Sequence, residues 1–283
     1  MMEKGLIYHY TTIEALDKII LDTTNADKKI CLLASNYEYV NDPYEISHGF
    51  EVSCKYLPEV ESALDIAPED RIAEKVNASL SNIKKETLFS PDSDLSLYIT
   101  CFSENKDCLP MWNMYGNNGS GISLGLHWAP CLFSPERLRK VMYDNDRDGI
   151  VEFLKTYYKH QKDQIRDTMK KGDIRFIKSA LFRYVGAYIK HHKYAYEAEY
   201  RYVIHKELIT KTADGYTEKI KFRVRNGDLI PYCELFFPSS VLEQIIIGPT
   251  RNFARTENAL KMFLRARNLQ SVKIIRSEVP FIG

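Results

Sequence analysis

An α+β fold is predicted for this chain by three observations. Short segments that alternate apolar and polar residues recur along its whole length. Two of them, 219–225 and 228–237, flank Asn226-Gly227, a strong hairpin signal. Two long stretches with helical spacing, near 44–90 and 147–193, interrupt the strands. No internal repeat, low-complexity tract or linker composition divides the chain, so a single domain over 1–283 with two helical insertions is expected.

The elements follow in order. Gly5 to Tyr10 alternates as a strand, and Thr11 with Glu14 forms a capping box for a helix over 13–22. A polar turn leads to a strand at 30–35, then to an irregular segment in which Asp42 precedes Pro43 and is biased away from helix. Residues 44–87 read as helical with interruptions at Pro58 and Pro68. After the break SPDSD comes a strand at 95–102. Asp107 is placed to cap a short helix that has Pro110 in its first turn and ends at the glycines of NNGSG, and a strand at 121–127 follows. Helical spacing returns over 147–170 and 173–193. In the strand 196–205, Glu197, Glu199 and Arg201 share one face, opposite Tyr200 and Tyr202. After the hairpin the chain ends in a strand at 244–249, a helix at 250–268 and a strand at 271–277.

Composition narrows the function classes. Thirty-nine basic residues against 38 acidic ones leave a formal charge of +1, so no overall field draws the chain to nucleic acid or an anionic membrane. Six cysteines at 31, 54, 101, 108, 131 and 233 show no C-x-x-C pair or metal-type spacing, which points to a reducing, cytoplasmic setting. No apolar run approaches 18 residues and the start carries no leader-type stretch, so neither export nor a membrane partner is expected.

Several side chains are candidates for chemistry. His9, at the end of the first strand, reads either as a hydrogen-bonding group aimed into a cleft or as a satisfied, partly buried histidine. Ser103 falls at a strand end, with Trp112 and Tyr115 three apart on one face of the helix over it. Trp112 is assigned to core and Tyr115 to the cleft. Glu197 and Glu199 are paired carboxylates about 7 Å apart by strand rise. Such a pair suits stabilisation of a developing positive charge, as sugar-cleaving sites require. Arg201 neutralising one of them is the alternative, and the expected division is Glu197 paired with Arg201 and Glu199 free. NNGSG lies after a helix and before a strand, the wrong polarity for a phosphate loop. Gly248-Pro249-Thr250 with Arg251 reads as an ordinary helix start or a weak anion site. Lys219, Lys221, Arg223 and Arg225 form a basic ladder that either tracks a polyanion or guards a sheet edge. His191, His192 and His205 lack a matching carboxylate or thiolate spacing, so no metal is expected.

Taken in order, YHYTT ahead of a helix, NDPYE, CFSENKDCLPMWNMYGNNGSGISLGL, YEAEYRYV and IIIGPT resemble an uncharacterised bacterial family catalogued as domain of unknown function 2971. The likeness runs over essentially the whole chain. That family is distantly similar to the ADP-ribosyltransferase superfamily, which includes the poly(ADP-ribose) polymerases and carries a His-Tyr-Glu signature. The resemblance implies a split, mostly antiparallel sheet and NAD as substrate, with an unknown acceptor that is a protein, a nucleic acid or a small molecule. It implies that His9 binds the nicotinamide ribose, that Tyr115 stacks on nicotinamide, and that Glu199 orients a ribose hydroxyl and supports the cationic transition state. Tyr10, Thr11, Ser103, Trp112, Glu197 and Arg201 complete the expected NAD-binding set. Tyr10 stands where polymerases carry Gly, and the added Trp112 is a second departure. The wider resemblance implies a toxin or phage-defence context. A nucleotide or ADP-ribose sensor without turnover and a nucleic-acid-binding protein are the alternatives.

Overall fold

The computed structural model describes residues 5–21, 29–40, 42, 44–78, 97–128, 137–205, 220–225 and 227–280. The strands are β1 (Leu6–Thr11), β2 (Lys29–Asn36), β3 (Leu97–Ser103), β4 (Ile122–His127), β5 (Leu138–Lys140), β6 (Met142–Tyr143), β7 (Ile189–Lys190), β8 (Glu199–His205), β9 (Lys221–Arg225), β10 (Asp228–Pro238), β11 (Leu242–Ile247) and β12 (Lys273–Arg276). The helices are α1 (Leu16–Ile19), α2 (Glu45–Ala63), α3 (Ala73–Ala78), α4 (Leu109–Met114), α5 (Arg147–Lys170), α6 (Ile174–Tyr184) and α7 (Phe253–Ala266). The fold is thus mixed α and β around a large, mostly antiparallel sheet.

The main sheet runs β12-β11-β4-β1-β3-β2-β10-β9, with β8 on β3 and β5 on β8. Among the described residues, β11 and β12 are the one parallel pair within it. The sheet forks at β3. One edge of β3 pairs with β8 over its full length, from Leu97↔His205 to Ser103↔Glu199. The other edge is shared: β1 meets it at Tyr8↔Ser103, and β2 at Ser35↔Ile99 and Asn36↔Tyr98. In the gap the Thr100 hydroxyl donates to the Leu33 carbonyl at 3.0 Å, and His9 Nδ1 lies 3.0 Å from the Cys101 carbonyl. These side chains satisfy backbone groups that no neighbouring strand reaches.

Each face carries its own core. One holds Ile7, Ile30, Leu32, Tyr98, Phe102, Tyr202 and Ile204, covered by Leu260 and Leu264 of α7. The other packs Leu97, Ile99 and Val203 against α2, α5 and α6. Beside this second core a smaller cluster gathers Tyr8, Tyr10, Met111, Trp112 and Ile246.

Several boundaries depart from the expectations. β1 runs through Thr11, so no capping box forms there; a 3-10 turn at Ile13–Ala15 and the single turn of α1 replace the long helix. The cause is pairing of Thr11 with Ile122, which extends the strand. Pro58 sits inside α2 without ending it. Burial of Ile46, Phe50, Cys54, Leu57 and Val60 on one face outweighs the roughly 3 kcal/mol that an interior proline costs. α2 ends at Ala63, with Asp65 at φ 49°, before Pro68 is reached; Pro68 opens a separate 3-10 turn, and 79–90 lies outside the described residues. The second insertion ends early, since α6 stops at Tyr184 and Ile189–Lys190 forms β7. Asp107 does not cap α4; its carboxylate accepts from Trp112 Nε1, Ser277 Oγ and the Glu278 amide. The hairpin forms with Asp228↔Arg225 and Gly227 at φ 88°, and Asn226 lies outside the described residues.

Two glycines let α2 cross the 186–189 segment backbone to backbone. A Cβ on Gly49 would overlap the Gly186 carbonyl and come 2.7 Å from the Ile189 carbonyl, and one on Gly186 would meet the Phe50 amide at 2.9 Å. Gly49→Ala is therefore expected to destabilise the chain by about 1–3 kcal/mol in urea denaturation. The exposed neighbouring change Glu51→Ala is expected to stay within about 0.5 kcal/mol.

Candidate active site

β8 begins at Glu199, just after a 3-10 stretch (His192–Glu197) closed by Ala198 in the left-handed region at φ 41°, ψ 52°. Strand alternation turns Glu199 and Arg201 to the same face. Arg201 Nε donates to Glu199 Oε1 at 2.8 Å and Nη2 to Oε2 at 2.9 Å, a two-pronged pair, while Nη1 donates to the Ala187 carbonyl at 2.8 Å. Lys190, closing β7, donates to Glu197 Oε2 at 2.5 Å and to Glu199 Oε2 at 3.0 Å. Its ammonium also lies 4.7 Å from the centre of the Tyr194 ring. The Tyr115 hydroxyl donates to Glu197 Oε1 at 2.9 Å, and the Tyr143 hydroxyl accepts the Glu199 amide at 3.1 Å. Lys190, Glu197, Glu199 and Arg201 are all buried, two cations against two anions. The expected pairing is corrected here: Arg201 takes Glu199, two residues away on the same strand face, and Lys190 supplies the partner for Glu197.

The two carboxylates are driven in opposite directions. For Glu199 burial acts to raise the pKa, but Arg201 and Lys190 outweigh it and hold the group down at about 2. For Glu197 burial dominates over the pull of Lys190, and the neighbouring Glu199 charge adds to it, so its pKa stays above the ordinary value. The Tyr115 hydroxyl is raised by burial and by Glu197.

Cys101 connects this cluster to solvent. It faces Arg201 in the β3–β8 register and keeps an exposed side chain. The dense protein around it, and then the Glu199 charge, push the thiol well above its usual range, so it rests protonated.

The other sequence candidates fall at varying distances from this cluster. Ser103 is buried, donating to the Glu197 carbonyl at 2.5 Å and accepting the Asn105 amide at 3.0 Å, so it fixes the backbone behind Glu197. Tyr10 is buried edge-on against Trp112, its hydroxyl donating to the Asn105 carbonyl at 2.7 Å. Trp112 is fully buried with its indole N–H on Asp107, which leaves no ring face for a ligand; its place in the expected NAD-binding set is corrected to core. Thr11 is half-buried in strand pairing with β4. His9 lies mid-strand on the opposite face of β1 from Tyr8 and Tyr10, its ring edge-on to Phe102 at 5.8 Å. It closes the fork in the sheet and is not brought to the Glu199 carboxylate.

Sequence spacing missed a second cluster. Asp144 follows β6 and His191 follows β7, and these strands pair in parallel (Tyr143↔Lys190), so folding brings a carboxylate to the two histidines. His192 Nδ1 lies 2.7 Å from Asp144 Oδ1, and His48 Nε2 lies 3.0 Å from Oδ2. The basic ladder sits on β9 at the sheet edge, where Lys221 pairs with Glu234 at 2.7 Å and Arg223 donates to Ser35 at 2.9 Å; Lys219 lies outside the described residues.

The charge cluster sets an acid limit on stability. Because the folded pKa of Glu199 lies below its ordinary 4.5, its stabilisation is complete above that pH and is lost as pH falls toward about 2. Removing it with Glu199→Gln is expected to flatten the stability–pH curve between those values by on the order of 3 kcal/mol, read by urea denaturation across pH. Arg201→Met, which leaves Glu199 with Lys190 alone, is expected to cost about 3–5 kcal/mol at neutral pH.

No curated protein and no solved structure matches this chain. A family model described as "Protein of unknown function (DUF2971)" matches residues 111–202, a segment that holds Tyr115, Asp144, the Lys190–Glu197–Glu199–Arg201 cluster and both adjacent histidines.

Proposed function

We propose that the chain is an NAD-dependent ADP-ribosyltransferase-like enzyme, which breaks the bond between nicotinamide and ribose and passes ADP-ribose to an acceptor. One observation carries this reading: two carboxylates at the start of β8, Glu197 just before it and Glu199 its first residue, share a lysine, and their surroundings drive one toward ionisation and raise the pKa of the other. Pairs of titratable groups pushed apart in this way divide acid and charge-stabilising roles. Bond breaking develops an oxocarbenium ion at the ribose, and a fixed carboxylate beside it lowers the energy of that charge. Glu199 is the ionised member, held in place by Arg201. Glu197, retaining a proton more readily and linked to Tyr115, is suited to hydroxyl orientation and proton transfer. His9 contributes to the shape of the sheet in this reading, and Tyr115 is the aromatic group whose hydroxyl bonds the Glu197 carboxylate.

A second reading is favoured by the burial of the same groups. Glu197 is 3 % exposed and Glu199 2 %, and both are already neutralised by Lys190 and Arg201. A nucleotide or ADP-ribose sensor that binds over Cys101 without turnover needs the cluster only as a support.

Incubation of the full chain with NAD, alone and with cell lysate, followed by mass spectrometry for nicotinamide and ADP-ribose adducts, separates the two. Release that Cys101→Ser retains and Glu199→Gln loses, with both variants folded by circular dichroism, is the expected outcome for the enzyme. NAD binding with no release supports the sensor, and neither binding nor release overturns both.

A further inference from the structure

We propose that Asp144, His191 and His192 form a site for one divalent transition-metal ion of the zinc type, with His48 holding the carboxylate in place. The donor atoms of these three residues all lie within 4.8 Å of one another. In a tetrahedral site with bonds of about 2.0–2.1 Å the ligand atoms stand roughly 3.4 Å apart, so small rotations of the two rings close the set. Both histidine side chains are half-exposed, which leaves room for that movement and a path for the ion.

The backbone beneath the site is fixed. β6 and β7 pair in parallel at Met142↔Ile189 and Tyr143↔Lys190, and the Asp144 amide donates to the Lys190 carbonyl at 2.9 Å, so the carboxylate and the two histidines leave the same end of one paired unit. The surrounding hydrogen bonds resemble an outer shell in its working arrangement. His48 Nε2 sits 3.0 Å from Asp144 Oδ2, and the His192 amide donates to Oδ1 at 2.9 Å. The remaining contacts, His192 Nδ1 to Oδ1 at 2.7 Å and the Lys193 amide to His191 Nδ1 at 3.2 Å, are those that ligation replaces.

Crowding of imidazoles supports a cation in this place. The His191 and His192 rings stack at 4.4 Å, and His48 lies 5.4 Å from His191. Two of these rings and the carboxylate present their donor atoms to one small volume, which a single ion would join. Two imidazole nitrogens and one carboxylate select borderline ions such as Zn²⁺ over Mg²⁺ or Ca²⁺, which favour all-oxygen shells. Three protein ligands leave a coordination position open for water or substrate.

The test uses the full chain stripped by chelator and titrated with Zn²⁺ against a chromophoric competitor, with Mg²⁺ and Ca²⁺ as controls. One Zn²⁺ per chain is expected, with a rise in melting temperature and no response to the other two ions. Asp144→Asn and the double change His191→Gln/His192→Gln are expected to lose the site, His48→Gln to weaken it by about ten-fold, and Cys101→Ser to leave it unchanged. Circular dichroism verifies that each variant folds, and the visible spectrum of the Co²⁺ form reports the ligand set independently. Absence of Zn²⁺ binding in the unaltered chain, or binding that survives both Asp144→Asn and the double histidine change, or binding that depends on Cys101, overturns the proposal.

Discussion

The arrangement around β8 depends on charge neutrality inside a buried space. Arg201 and Lys190 face Glu199 and Glu197 where almost no water reaches, and an unpaired member of that set would carry a desolvation penalty of several kcal/mol. The four groups therefore dictate where their segments go. Lys190 must come from β7, which demands that α2 pass close over residues 186–189, and that passage demands glycine at 49 and 186. The Arg201 guanidinium fastens the same segment from inside through the Ala187 carbonyl. Replacing such a cluster by apolar residues often stabilises a protein, so its presence points to specificity or chemistry more than to stability.

Local strain accompanies it. Ala198 occupies the left-handed region without the freedom of glycine, at a cost on the order of 1 kcal/mol. Its carbonyl accepts the Glu104 amide at 2.9 Å, and the turn converts a 3-10 stretch into β8 between two glutamates. A plain strand through 197–199 would also place both carboxylates on one face, but the turn brings Glu197 under Lys190 and the Tyr115 hydroxyl while Glu199 stays with Arg201. Non-glycine strain held between two titrating groups is the kind of outlier that accumulates at working sites.

Much of this was legible along the chain where the signal was local. Alternation marked β1, β3, β4, β8 and β11, the hairpin was readable from its turn, and Trp112 was readable as core. The pairing of Glu199 with Arg201 was not, because spacing says which residues share a face but not which third group arrives from elsewhere. Lys190 was hidden inside what reads as a continuous helix over 173–193, and its two-residue strand is too short for any periodicity. Asp144 was invisible as a partner of His191 and His192 for the same reason: β6 and β7 exist only through each other. The placement of His9 turned on a strand that runs one residue further, through Thr11, than its alternation suggested, and on a fork in the sheet that a side chain had to fill.

That short parallel pair joins the two polar clusters mechanically. Tyr143 and Asp144 lie consecutively on one side, and Lys190, His191 and His192 on the other. Tyr143 reaches the Glu199 amide and Lys190 reaches both glutamates, while Asp144, His191 and His192 gather with His48. The Asp144 amide donates to the Lys190 carbonyl at 2.9 Å, so the two clusters share one backbone contact. Lys190 has little slack, because its ammonium already bridges Glu197 and Glu199 over the Tyr194 ring. The balance that separates the two glutamates depends on where Lys190 sits between them, since it donates to both.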